Sequence, residues 1–301
     1  VRSEGIIYEC RIKGKLRIKG IRTTNPLTVG DVVSFETQDE ISESGLPMGV
    51  VTQLQQRKNY IIRKSVNLSK ESHIIAANID LAFIVVTVNY PTTLLNFIDR
   101  FLVTAEAYNI TAVLIFNKID LYNEAEMDKV NEWFGIYHQI GYRCIGTSTV
   151  TNQGIDEVKA LMKGKTSVFA GHSGVGKSTL INTIDPRHGL RTGIISEAHK
   201  SGKHTTSFSE MFELEMGGYI VDTPGISSFG MIDMKNDDVS HFFPEIFRVS
   251  DKCKFYNCTH IHEPGCAVKD AVETGEIHFS RYQSYLSIFN EDEDQKYRVG
   301  I

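Results

Sequence analysis

The segment Val168-Phe169-Ala170-Gly171-His172-Ser173-Gly174-Val175-Gly176-Lys177-Ser178-Thr179 joins a short apolar run to a helical one through a glycine-rich turn. Gly171 to Ser178 fit G-x-x-x-x-G-K-[ST] in the required context, after a strand and before a helix over Ser178–Ile184. The glycines let successive backbone N–H groups turn inward as an anion nest. The helix N-terminus adds partial positive charge. The spacing predicts that Lys177 reaches the β- and γ-phosphates of a nucleotide and that the Ser178 hydroxyl ligates Mg2+. A chance glycine turn with a surface lysine is the bland alternative, and the full match in context disfavours it.

Outward from this loop, the pattern is that of a parallel sheet. Ile79–Val88 is a continuous apolar run of the type buried on both faces, and Ala112–Phe116 is a second. Arg143–Gly146 is a weaker strand, and Phe208–Leu214 with Tyr219–Val221 reads as a strand pair. Asp99–Tyr108, Met127–Ile140 and Gly154–Met162 carry apolar residues at helical spacing. Strands alternating with helices predict an α/β fold. Beyond about Gly230 the pattern becomes irregular.

Asn117-Lys118-Ile119-Asp120 follows the Ala112–Phe116 strand, at the carboxyl edge where such sheets bind nucleotides. The Asp120 carboxylate can accept from guanine N1–H and the N2 amino group together. Adenine lacks that donor pair and would leave a charged acceptor unpaired. Asn117 can support the loop, and the Lys118 stem can pack along the ring. Thr147-Ser148 sits where a small-residue loop would cover the base. Asp222-Thr223-Pro224-Gly225 follows a strand, so Asp222 can hold Mg2+ through water and the Gly225 N–H can sense the γ-phosphate; a plain turn is the alternative. In Lys203-His204-Thr205-Thr206, one threonine can cap Mg2+ and the γ-phosphate, Thr206 being favoured over Thr205. Common small GTPases run phosphate loop, switch threonine, D-x-x-G, then N-K-x-D. Here N-K-x-D comes first, which predicts a circular permutation of the same sheet.

The net charge of -5 over 301 residues argues against a nucleic-acid partner, but it is uneven. Residues 1–70 hold 12 Lys+Arg against 7 Asp+Glu, a basic head on an acidic body. That head is turn-rich and β-like, and a small OB-fold barrel is expected. Arg11, Lys13, Lys15, Arg17 and Lys19 recur at every second residue, so in a strand they share one face while Ile12, Leu16 and Ile18 face a core. Such a stripe can follow RNA phosphates; a solvated edge strand that uses lysines against aggregation is the equal alternative. The longest apolar run, near Leu81–Val88, is short of the ~20 residues a spanning helix needs. No export signal opens the chain, and a cytoplasmic protein is expected.

Cys253-x4-Cys258-x-His260-x5-Cys266 offers three thiolates and an imidazole, a closed set for one structural Zn2+, with His262 competing for the fourth position. Cys10 and Cys144 read as buried apolar packing.

With these motifs together, the chain resembles the circularly permuted, ribosome small-subunit-dependent GTPases of bacteria. The resemblance rests on Tyr8–Gly14, Asn117–Asp120, Gly171–Thr179, Asp222–Gly225 and Cys253–Cys266 in that order. It implies an OB-fold head over 1–70, a permuted GTPase core over 71–230 and a zinc-binding domain over 231–301. It implies GTP hydrolysis stimulated by the small ribosomal subunit, in late subunit maturation, and it assigns zinc to Cys253, Cys258, His260 and Cys266. Ile226 stands where many GTPases place a water-orienting Gln, so intrinsic hydrolysis is expected to be slow, with His204 the nearest replacement. The catalytic set expected is therefore His204, Thr206 and Lys177. Gly174 stands where potassium-stimulated relatives carry Asn. A monomer with GTP or GDP, the small subunit and its rRNA as partners, and no membrane, is expected. A nucleotide-gated RNA scaffold with little turnover is the alternative.

Overall fold

The computed structural model describes residues 1–13, 27–64, 72–188, 210–222 and 236–291. The chain forms two compact units, Val1–Asn78 and Ile79–Ile301.

In the first unit a short hairpin, β1 (Arg2–Ser3) and β2 (Ile6–Ile7), precedes a three-stranded sheet. There β3 (Glu9–Ile12) and β4 (Val33–Ile41) flank β5 (Pro47–Leu54), β3 parallel and β4 antiparallel to it. A second antiparallel pair joins β6 (Tyr60–Lys64) to β7 (Ser72–Ala77), which carries the unit to Asn78. No helix occurs among the described residues of this unit, as its turn-rich sequence predicts. The Asp31 carboxylate receives the Arg57 guanidinium at 2.6 and 2.7 Å and the Thr28 N–H at 2.8 Å, which ties the turn before β4 to the segment after β5.

The second unit is a six-stranded sheet with helices on both faces. In chain order it comprises β8 (Leu81–Val86), α1 (Leu95–Ala107), β9 (Thr111–Asn117), α2 (Glu124–Ile140), β10 (Arg143–Thr147), α3 (Ile155–Met162), β11 (Thr166–Ala170), α4 (Lys177–Ile184), β12 (Glu210–Glu213) and β13 (Tyr219–Asp222). The spatial order is β10-β9-β8-β11-β13-β12, all parallel except β12. The chain thus enters the sheet beside its centre, builds outward to β10, and returns to place β11 against β8. Right-handed crossovers send α1 and α2 to one face and α3 and α4 to the other. Ile155, Val158, Leu180 and Ile181 of the second face share a core with Phe83 and Val85 of β8. Two helices start earlier than their apolar spacing suggests. The α2 start is set by a capping box in which Asn123 Oδ1 accepts from Glu126 N–H and the Glu126 carboxylate accepts from Asn123 N–H, both at 3.0 Å.

The described residues after Gly230, irregular by sequence, hold three α-helices beyond a 3-10 stretch at Asn236–Phe242: α5 (Pro244–Ser250), α6 (Ala267–Glu273) and α7 (Phe279–Phe289). The first two have 7 residues each, too few to print a periodic signal. All three share a core with α1 through Val103, Phe243, Ile246, Val268, Tyr285 and Ile288. This explains why α1 is buried continuously from Ile98 to Ala105: it has the sheet on one side and the C-terminal helices on the other. Arg281 of α7 is fully buried in that contact. It donates to Asp99 of α1 at 2.7 Å and to both Glu245 oxygens of α5 at 2.7 and 3.3 Å. Tyr137 of α2 donates to the same Asp99 oxygen at 2.8 Å.

Candidate functional site

At the carboxyl end of β11 the chain turns through Gly171–Gly176 into α4. Two glycines are required there by close approach as well as by left-handed backbone. Gly171 has φ +137°, and a Cβ on it would lie 2.3 Å from the Val85 carbonyl. Gly176 has φ +98°, and its Cβ would lie 2.4 Å from Asn117 Nδ2. The loop is therefore wedged between β8 and the β9 terminus. Lys177 is buried and donates to the Gly171 and His172 carbonyls, each at 2.7 Å. Burial pushes its ammonium down to about 8. Ser173, Gly174 and Thr179 are exposed, Ser178 is half-buried, and Val175 is buried.

The Asn117–Asp120 segment meets this loop directly. Asn117 and Thr147 stand opposite each other at the ends of β9 and β10. Thr147 donates to Asn117 Oδ1 at 2.9 Å, and Asn117 Nδ2 donates to the Val175 carbonyl at 2.8 Å. One buried amide thus fastens the two loops and the phosphate turn together. Lys118 adopts φ +64°, a left-handed conformation held by donation of its ammonium to the Tyr90 and Gly174 carbonyls at 2.6 and 2.7 Å. Ile119 is half-buried, and Asp120 leaves its carboxylate exposed for a ligand. Ser148 is buried and caps its own turn by accepting from Val150 N–H and Thr151 N–H.

Two supports left no mark in the sequence. The Tyr122 hydroxyl donates to the Asn117 carbonyl at 2.8 Å and accepts from Val88 N–H at 3.2 Å, so β8 and β9 are locked where their loops diverge. Burial raises that phenol to about 12. The Tyr90–Pro91 turn touches the phosphate loop through Lys118 and Gly174.

The Lys177 position gives a pH prediction. Phosphate charge in the complex stabilises the ammonium and raises its pKa above the free value of about 8. The complex then holds the proton that the free protein has lost, so GDP affinity must fall as pH rises through about 8. Fluorescent-GDP titrations between about pH 7 and 9.5 should give a dissociation constant climbing by up to about tenfold per pH unit above 8. A flat profile in this range contradicts the burial argument.

Between α5 and α6, Cys253, Cys258, His260 and Cys266 bring their ligand atoms within 4.8 Å of one another. His260 Nδ1 lies 3.6 Å from Cys253 Sγ and 3.5 Å from Cys266 Sγ, and these sulfurs are 4.0 Å apart. A tetrahedral Zn2+ with bonds of about 2.3 Å to sulfur and 2.0 Å to nitrogen calls for about 3.5 and 3.8 Å respectively. The donor set therefore fits zinc. His262 is exposed, outside the cluster. Glu263 shapes the ligand loop by accepting from Thr259, Ile261 and His262 N–H. Burial alone raises that carboxyl, but the Thr259 hydroxyl, donating at 2.7 Å, and the backbone N–H groups of the loop outweigh it and hold it at about 2. Tyr282 and Tyr285 donate to the His260 and Thr259 carbonyls at 2.7 and 2.6 Å.

Arg11 and Lys13 are exposed at and just after β3. Ile12, expected on a core face, is 41% exposed; among the described residues β3 pairs with β5 alone. Lys15, Arg17, Lys19, His204, Thr205, Thr206 and Gly225 lie outside the described residues, as does the Asp222 side chain. An aromatic surface was missed by sequence: Tyr256 is wholly exposed between Cys253 and Cys258, beside Phe255 with the Lys254 ammonium over its ring at 5.6 Å.

A phosphate loop and an Asn-Lys-x-Asp loop fastened at one sheet edge, with the second preceding the first in the chain, define a circularly permuted GTPase. The RsgA GTPase family model matches residues 54–232, and the RsgA N-terminal domain model matches 1–43. The chain belongs to the RsgA GTPase family. It is similar to the small ribosomal subunit biogenesis GTPase RsgA of Flavobacterium psychrophilum, at 52% identity over 99% of this chain and 90% of that protein. The protein of the same name from Christiangramia forsetii is 54% identical over 98% of this chain and 93% of its own length. Among solved structures, YjeQ from Thermotoga maritima matches with a TM-score of 0.74 and 38% identity, over 93% of this chain and 88% of that one. YloQ, described as a circularly permuted GTPase, matches with a TM-score of 0.72 and 30% identity, over 97% and 88%.

Proposed function

We propose that this chain hydrolyses GTP in association with the small ribosomal subunit, late in its maturation, and that the subunit stimulates turnover. The observation that carries the reading is the Asn117 amide, bonded at once to the phosphate loop and to the base-side Thr147. Gly171–Thr179 hold the phosphates, and Asn117, Lys118, Ile119 and Asp120 read guanine with Thr147 and Ser148 beside them. Lys177 leaves the Gly171 and His172 carbonyls to reach the β- and γ-phosphates, where its charge offsets that developing in the transition state. Ser178, Thr206 and Asp222 would hold Mg2+, which would supply positive charge against the phosphates. Thr205 or Thr206 closes over the γ-phosphate, Gly225 senses it, and His204 orients the attacking water. Cys253, Cys258, His260 and Cys266 would hold one structural Zn2+, which would supply the cross-link that orders the segment between them.

The relatives' printed names connect them with the small ribosomal subunit, and two segments of the chain suit its RNA. One is the basic run Arg11, Lys13, Lys15, Arg17 and Lys19, tracking phosphates. The other is the zinc loop, where Tyr256 can stack an unpaired base with Lys252 and Lys254 nearby. The reading divides the work among a head over 1–70, a GTPase core over 71–230 and a zinc-binding segment over 231–301, in a monomeric cytoplasmic protein. No described helix is long and apolar enough to cross a membrane.

The test is GTP turnover with and without purified small subunits. Turnover is expected to rise strongly with subunits, and Tyr256→Ala should weaken subunit binding by about tenfold while sparing turnover of the free protein. Unstimulated turnover, with subunit binding indifferent to nucleotide, would favour the scaffold reading instead.

A further inference from the structure

The phosphate loop has a neighbour that no nucleotide-binding motif includes. Phe97, in the first turn of α1, stacks on the imidazole of His172, with ring centroids 3.9 Å apart and an interplanar angle of 30°. His172 is the second residue of the loop, and its carbonyl is one of the two that receive Lys177. Two residues beyond Phe97, Asp99 carries the buried bond to Arg281 of α7. From α7, Tyr282 and Tyr285 reach the His260 and Thr259 carbonyls of the zinc loop. Asn96, on the other side of Phe97, donates to Ser287 of α7 at 3.1 Å. The first turn of α1 is therefore gripped by the zinc-bearing helices on one side and presses on the phosphate loop with the other.

We infer that Phe97 is a positioning residue for the phosphate loop, and that Asp99 and Arg281 set its place from the zinc-bearing helices. The side chain of Phe97 has no polar atom for a phosphate or a base, so it acts through His172. An α-helix is stiff over two residues, so a displacement of Asp99 is a displacement of Phe97. The inference rests on the reading that Gly171–Ser178 binds nucleotide.

The test is a set of mutant cycles in GDP affinity on the full-length, zinc-loaded protein. Wild type must bind fluorescent GDP and Lys177→Ala must lose it; otherwise the nucleotide reading fails before this one is tried. Phe97→Ala should then weaken GDP binding by about three- to tenfold, with Phe97→Tyr restoring it. His172→Ala combined with Phe97→Ala should lose little more than either alone. Asp99→Asn keeps a side-chain oxygen for Arg281 and Tyr137 and is the milder probe of the buried group. It should weaken GDP binding in wild type and have no effect in the Phe97→Ala background. Zinc content of one per chain in each variant certifies the fold. Wild-type GDP affinity in Phe97→Ala, or fully additive losses in the His172 cycle, overturns the positioning role. Equal losses from Asp99→Asn in both backgrounds, or no loss in either, overturn the link to the zinc-bearing helices.

Discussion

Cys266→Ser is expected to strip the zinc and unfold the segment around it. Cys266 is buried, and its sulfur lies 3.5 Å from His260 Nδ1 and 4.0 Å from Cys253 Sγ, so a serine there leaves an incomplete donor set. The loop from Lys254 to Gly265 has no described helix or strand of its own, and its two ends are joined by a single backbone bond of 3.0 Å. Metal binding in such sites carries about 10–16 kcal/mol, nearly all of it folding energy. Loss of the loop also removes the carbonyl acceptors of Tyr282 and Tyr285 and loosens α7. Atomic absorption should read near zero zinc per chain in place of one. A loss of several kcal/mol should lower the melting midpoint by about 10 °C or more. His262→Ala is the control and should keep both zinc and midpoint. Retained zinc in Cys266→Ser, or lost zinc in His262→Ala, would reassign the ligands.

The second large effect is expected from Asp120→Asn. The exposed Asp120 carboxylate is held in a short helical turn, and the loop before it is fixed through Asn117, Lys118 and Tyr122. It offers two acceptor oxygens to the two adjacent donors of guanine. An asparagine presents one acceptor and one donor, so one guanine N–H loses its partner and meets another donor. Two charge-assisted bonds of about 1.5–3 kcal/mol each are at stake, hence a loss of about 10²- to 10⁴-fold in GDP affinity. Xanthine has an oxygen where guanine has the amino group, so xanthosine diphosphate should become the tighter ligand. Isothermal titration with the two diphosphates decides it. GDP affinity within threefold of wild type (about 0.6 kcal/mol) would remove Asp120 from base recognition.

The parts of the site that print locally were legible in the sequence. Gly171–Ser178 and Asn117–Asp120 are contiguous because a nest and a base-reading loop are each made by consecutive residues. The permutation followed from motif order alone. The Cys3His group was legible for the same reason except at its fourth position: the residues left His262 open and the family resemblance favoured His260, and in the structure His260 is buried among the sulfurs while His262 is exposed. Long-range supports were not legible. Tyr122, Phe97 and Arg281 belong to no spacing rule, since their partners are distant in the chain or depend on how the loops close. The α2 start could have been found from Asn123-x-x-Glu126, a capping signature that precedes the first apolar residue of the periodic stretch. The short helices α5 and α6 escaped because one or two turns bury residues on several sides and leave no stripe.

The buried Arg281 group bears on how this protein can be taken apart. A fragment ended at residue 230, the boundary its sequence suggests, would keep Asp99 and lose the cation that neutralises it. It would also bare the flank of α1 around Val103. Such a fragment carries a stranded carboxylate beside fresh apolar surface, a recipe for insolubility. Conversely, the C-terminal helices expressed alone would keep Arg281 with Glu245 and lack the second acid. Neither piece is a portable cassette. The GTPase sheet and the C-terminal helices each hold part of one buried charge group, so removing either demands repair of the other.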